Sequence, residues 1–306
     1  MSDNTKETSW GEAIAGLVFL FLILLKESSK EKELKIWDKF ENEIAHNNRF
    51  FPEAKCICEA LDFYSKRAVY TLRKGEKTIF RARLIKSMEK LPLPTQVVAY
   101  FASNEWSDFL QNTDEQTNDT KLSNELESCT EFWGFDSEGS DAPPTDKASA
   151  GRINPAGISY LYATEDPHTA VVEARPALGQ IVSIAEIETK KDLKLFDFCI
   201  HLVDGDNIEE HKGMFEEIAR RLSMPNHVGN VGYYATQYVS QYIKKLKDSF
   251  DGIRFQSSLH KGGVNIVLFD TTKDEETKEP RNYVIKNSSI HYVDNITISE
   301  RKILPR

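Results

Sequence analysis

Cysteine is scarce in this chain, with only Cys56, Cys58, Cys129 and Cys199 in 306 residues. Only Cys56 and Cys58 lie close together, and no second cysteine pair or histidine pair stands at zinc-site spacing. A metal centre is therefore not expected, and the thiols read as reduced and cytoplasmic. Positive charge is also short: Lys+Arg number 39 against 48 Asp+Glu, a net charge of −9. That balance excludes a general nucleic-acid binder, which needs a basic face for phosphates; it leaves room for a local pocket that holds one pyrophosphate. There is no GxGxxG or GxxxxGK[ST] run to cradle phosphates, and no internal repeat. A full-length apolar span is lacking too. Ala13–Leu25 is uncharged for thirteen residues, short of the ~20 that cross a bilayer. The acidic or neutral stretch before it and Lys26-Glu27 after it do not read as a secretory signal. This run is expected to be a helix buried in a core or a partner interface, with a membrane anchor as the less favoured alternative.

What is present is ordinary for a soluble protein: 40% hydrophobic and 28% charged residues. Leu34, Trp37, Phe40 and Ile44 recur at helical spacing. Ile57, Leu61, Tyr64, Ala68 and Leu72 do the same from Pro52 to about Arg73. These predict a helical N-terminal region over residues 1–75, followed by a second domain over 76–306. Thr78–Leu84 reads as a strand with Arg81 and Arg83 on one side. Residues 111–120 are wholly polar and read as a surface loop. Further strands are expected at 180–189, 193–198, 253–255, 264–269, 283–285 and 289–298, and helices at 208–222 and 238–250. The mixture predicts an α+β fold.

The informative stretch is GRINPAGISYLYATEDPHTAVVEARP, Gly151 to Pro176. An arginine-bearing turn leads into a strand-like run, Ile158–Ala163. Asp166-Pro167 then reads as a helix start, because aspartate caps free N–H groups and proline is tolerated at the first helical position. Pro176 stops the helix. A strand–turn–helix unit of this kind brings Tyr162 and Glu173 to one cleft. His168 and His260 read as solvated loop histidines.

Five segments in this order resemble the RES domain, a family of bacterial toxins. They are Ile79–Arg83, Ser140–Asn154, the Tyr162–Glu173 unit, Tyr233–Gln237, and Asp251–Ser258 with Gly262–Phe269; together they span roughly residues 76–272. The resemblance implies a fold similar to ADP-ribosyltransferases, placed behind the helical region, and consumption of NAD by hydrolysis or phosphorolysis. By motif position, Arg81 takes the role of binding the dinucleotide phosphates and Tyr162 that of stacking. Glu173 is the implied catalytic carboxylate and Ser257, favoured over Ser258, a positioning hydroxyl. Arg83, Arg152, Asn154 and Asn265 are the expected substrate contacts; the alternative for Arg152 and Asn154 is that they build the turn, and for Asn265 that it caps a strand edge. These residue types suit the chemistry. A guanidinium fork fits a pyrophosphate, an aromatic face fits a base, and a carboxylate steadies an oxocarbenium-like sugar. The family also implies a cognate antitoxin, to which any contact with nucleic acid would belong; the cytoplasmic location is the expectation drawn from the reduced thiols. Transfer of ADP-ribose to a protein is the alternative within this enzyme class. A non-catalytic protein docked by its apolar helix is the alternative outside it. An oligomer is compatible with the sequence.

Overall fold

The computed structural model describes residues 31–86, 132–200, 209–224, 232–273, 280 and 282–296. The Ala13–Leu25 run, the polar stretch at 111–120 and Cys129 lie outside them. Among the described residues no helix is long and apolar enough to cross a membrane.

The chain enters as helix α1, described over residues 31–46, whose Trp37, Phe40 and Ile44 are buried as their spacing predicts; Leu34 stays exposed. Helix α2 is Lys55–Tyr64. The helical expectation for the residues after Tyr64 is corrected. The Ser65, Arg67 and Ala68 N–H groups fold back onto the Leu61 and Tyr64 carbonyls, and Val69–Leu72 becomes strand β1. A separation of four buries Ala68 and Leu72 on a strand as well as on a helix, and the Val-Tyr-Thr run between them favours a strand.

Strands β2 (Ile79–Leu84), β3 (Leu161–Thr164), β4 (Ile181–Thr189), β5 (Leu193–Asp197), β6 (Gly252–Gln256), β7 (Val264–Leu268) and β8 (Tyr283–Tyr292) complete the sheet. Its eight described strands run in the order β1-β5-β6-β7-β3-β2-β4-β8. β5 and β6 are parallel; the other described pairs are antiparallel. The two strands expected at the end of the chain are a single one, β8, accommodated by a register shift at Glu186/Ile187 of β4. Helices α3 (Ser137–Ser140), α4 (Pro167–Ala174), α5 (Glu209–Ser223) and α6 (Tyr234–Lys245) lie between strands. α6 starts and ends several residues before its expected 238–250 span. The whole is mixed α and β, consistent with an α+β class.

Two apolar clusters hold it together. One packs Trp37 and Phe40 of α1, Leu61 and Tyr64 of α2, Phe215 and Ile218 of α5 and Val239 and Ile243 of α6 against Phe196, Ile253, Phe255 and Val267 of the sheet. The other joins Leu72, Ile79, Leu161, Ala185, Leu195, Ile266, Leu268 and Tyr283, reaching from β1 at one edge to β8 at the other.

Candidate active site

The site forms where the sheet opens. β2 and β3 share one register pair, Phe80 with Thr164. Beyond it the Arg81 guanidinium meets the Tyr162 carbonyl at 2.7 Å, in place of a backbone N–H. The opening is a cavity of about 260 Å³ lined by Phe80, Arg81, Arg152, Tyr162, Glu173, Tyr233, Phe255 and Asn265, among others.

Helix α4 brings Glu173 to it. Asp166 caps the helix by accepting from the Thr169 N–H at 2.8 Å, and Pro167 occupies the first turn, as the sequence predicts. The helix ends at Arg175, whose φ of 52° is left-handed. Glu173 Oε1 accepts from the Ser257 hydroxyl at 2.7 Å and from the Asn265 side-chain amide at 2.8 Å. Among the described residues Oε2 has no hydrogen-bond partner. The direction of the serine proton is forced. Ser257 Oγ already accepts the Leu259 and His260 N–H groups, each at 3.1 Å, so its single hydrogen is left for Glu173. Ser258 makes no such contact and lines a different cavity.

The arginines divide into two kinds. Arg81 and Arg152 line the cavity, and among the described residues neither buried Nε–H has an acceptor. Burial pushes Arg81 down to about 10, with neighbouring Arg83 acting in the same direction, so it remains a cation at neutral pH. Burial lowers Arg152 as well, and Glu173 opposes that shift. Arg152 is aimed by the Leu222 carbonyl in the last turn of α5, at 2.6 Å. Arg83, by contrast, is not at the cavity. It grips the Gly139 and Asp141 carbonyls at 2.6 Å each and so holds the α3 loop.

Tyr162 lines the cavity, and its hydroxyl points into the Gly151–Gly157 turn. It donates to Asn154 Oδ1 at 2.7 Å and accepts from the Ile153 N–H. Burial pushes this phenol up to about 12, so it stays neutral. The Asn154 amide is spent on the Ser149, Pro155 and Ile158 carbonyls; Asn154 therefore builds the turn and does not line the cavity. Helix α6 pins the same turn from beneath. Thr236 donates to the Arg152 carbonyl, Gln237 to those of Gly151 and Asn154, and Ser240 to that of Ile153.

Of the eight residues singled out from sequence, Arg81, Arg152, Tyr162, Glu173 and Asn265 thus meet at one cavity, and Ser257 joins them through Glu173. Phe80, Tyr233 and Phe255 were not singled out, although each lies inside or beside a quoted motif. Nor are both histidines solvated as expected: His168 is exposed, but His260 is half-buried, with Nδ1 2.7 Å from Thr169 Oγ1. Among the described residues no group of His, Cys, Asp and Glu is placed to hold a metal, and Cys56, Cys58 and Cys199 are free thiols.

The chain matches no curated protein and no solved structure. One family model, the RES domain, matches residues 129–292. That span covers more than half of the chain and takes in the Arg152 turn, Tyr162, Glu173, Ser257 and Asn265. It starts after Arg81 and Arg83. On this match the protein belongs to the RES-domain family.

Proposed function

We propose that this protein is an NAD-consuming enzyme that cleaves the bond between nicotinamide and ribose. Membership of the RES family supports an NAD-related, toxin-like role. The observation that carries the finer reading is the Glu173 carboxylate, with one oxygen bound by Ser257 and Asn265 and the other open, in a cavity that also holds two desolvated guanidinium groups.

In NAD the nicotinamide nitrogen is already cationic, so the glycosidic bond breaks without a general acid. The bonding electron pair leaves with neutral nicotinamide, and positive charge develops at the anomeric carbon. Glu173 Oε2 steadies that charge or holds a ribose hydroxyl, while Ser257 and Asn265 keep the carboxylate from rotating. The free Nε–H groups of Arg81 and Arg152 are suited to pyrophosphate oxygens. Tyr162 and Tyr233 supply aromatic faces. The oxocarbenium is then captured by water, which loses a proton, or by a phosphate oxygen; a protein side chain as acceptor would make the same site a transferase. The fold is read as ADP-ribosyltransferase-like, the location as cytoplasmic, and the controlling partner as an antitoxin that covers the cavity.

The test is to incubate the purified protein with NAD, with and without inorganic phosphate, and to identify products by mass. Nicotinamide with ADP-ribose indicates hydrolysis, and ADP-ribose-1″-phosphate formed only with phosphate indicates phosphorolysis. NAD left intact by folded protein under both conditions overturns the reading.

A further inference from the structure

Helix α4 touches the β6–β7 turn at two points, not one. Glu173 receives the Ser257 hydroxyl. One helical turn earlier and on the same side, Thr169 contacts the His260 ring. Thr169 is fully buried, and its hydroxyl has one proton. Asp166, the helix cap, accepts that proton on Oδ2. Burial works against the Asp166 charge, but the two Thr169 hydrogen bonds, His260 and His168 outweigh it and hold the carboxyl below its usual range. As a carboxylate it only accepts, so the Thr169 oxygen must be the acceptor from His260. The tautomer follows: the hydrogen sits on Nδ1.

We propose that His260 is a positioning residue of the active site. Through Nδ1–H to Thr169 and on to Asp166, it sets the height of the Ser257 turn and so aims the Ser257 proton at Glu173. The same residue supplies one of the two backbone N–H groups that occupy Ser257 Oγ. The turn is closed behind it by the Ser257 N–H to the Gly263 carbonyl at 2.9 Å and the Gly263 N–H to the His260 carbonyl at 3.0 Å. Gly263 leaves the space for this contact: a Cβ there would overlap Thr169 Oγ1 and lie 2.8 Å from His260 Nδ1. His260 does not line the cavity, and its effect on chemistry runs entirely through Ser257.

The effect on catalysis rests on the NAD-cleaving reading, so the test has a second arm that needs no substrate. The variants are His260→Ala, His260→Asn, His260→Gln and Thr169→Val. An asparagine amide nitrogen stands as many bonds from Cα as Nδ1 does; a glutamine amide nitrogen stands one further out. His260→Ala, His260→Gln and Thr169→Val are expected to lower kcat about 10- to 100-fold through sub-ångström misplacement. KM should stay within about twofold, and His260→Asn should keep kcat within about threefold of the parent. In the second arm, hydrogen exchange at the Leu259 and residue-260 amides should quicken in the first three variants and not in His260→Asn. Unchanged kcat and unchanged exchange in His260→Ala overturns the proposal, as does equal loss in the asparagine and glutamine variants. If the parent protein cleaves no NAD, the NAD reading has failed and the exchange arm alone decides the positioning role.

Discussion

At the scale of single residues, the site turns on the Glu173 carboxylate, whose Oε1 is held by the Ser257 hydroxyl and the Asn265 amide. Glu173 and Ser257 are picked out in the sequence by their places in segments that resemble the RES domain; residue type alone does not single them out. Arg83 is indistinguishable by type from Arg81 and Arg152, and Asn154 from Asn265; only the carbonyls they meet assign them to the α3 loop and the Gly151 turn. His260 reads as solvated from the sequence because Thr169, the partner its ring meets, is distant along the chain. Glu165 illustrates how partners fix a titration. Burial raises its pKa, but Arg254 at 2.7 Å and Lys77 at 2.6 Å outweigh burial and hold it below the ordinary 4.5. A depressed folded-state pKa adds stability above the unfolded value and loses it as pH falls through the folded one. Glu165→Gln is therefore expected to cost about 2 kcal/mol at neutral pH. In denaturant titrations across pH, the gap to the parent should close as pH falls below 4.5. A gap that stays constant down to low pH would refute this pairing.

At the scale of elements, periodicity and caps located β2, α4, β4, β5, β6 and β7 to within a few residues. It failed where two periods coincide, as at Ala68 and Leu72, which a strand buries as readily as a helix. It also gave no sign that β2 and β3 part after Phe80 and Thr164, because strand pairing is set by partners far along the chain. That parting makes the cavity. The β6–β7 turn is the element whose closeness to α4 matters most. Gly263→Ala should force Thr169 and His260 apart, costing about 1–3 kcal/mol of stability by overpacking. Activity should fall further than the shift in melting temperature explains, which paired melting and turnover assays will show. An alanine variant with parental activity would mean that the turn yields without disturbing Ser257.

At the scale of the whole molecule, the helical region and the sheet are packed as one. Trp37, Phe40, Leu61 and Tyr64 share a cluster with Phe196, Ile253 and Val267, and β1 pairs with β5 from Val69 to Leu72. A chain beginning at residue 76 would expose that surface and lose an edge strand. It is expected to lack a cooperative thermal transition in calorimetry, and a sharp transition would show that the second segment folds alone. The central claim concerns what the assembled cavity does, and the rate of nicotinamide release from NAD tests it most directly, in the parent and in Glu173→Gln. The account predicts release by the parent and a loss of at least ~100-fold in the variant, which keeps the side-chain shape but removes the charge. Equal rates in the two folded proteins, or no release by either, would contradict it.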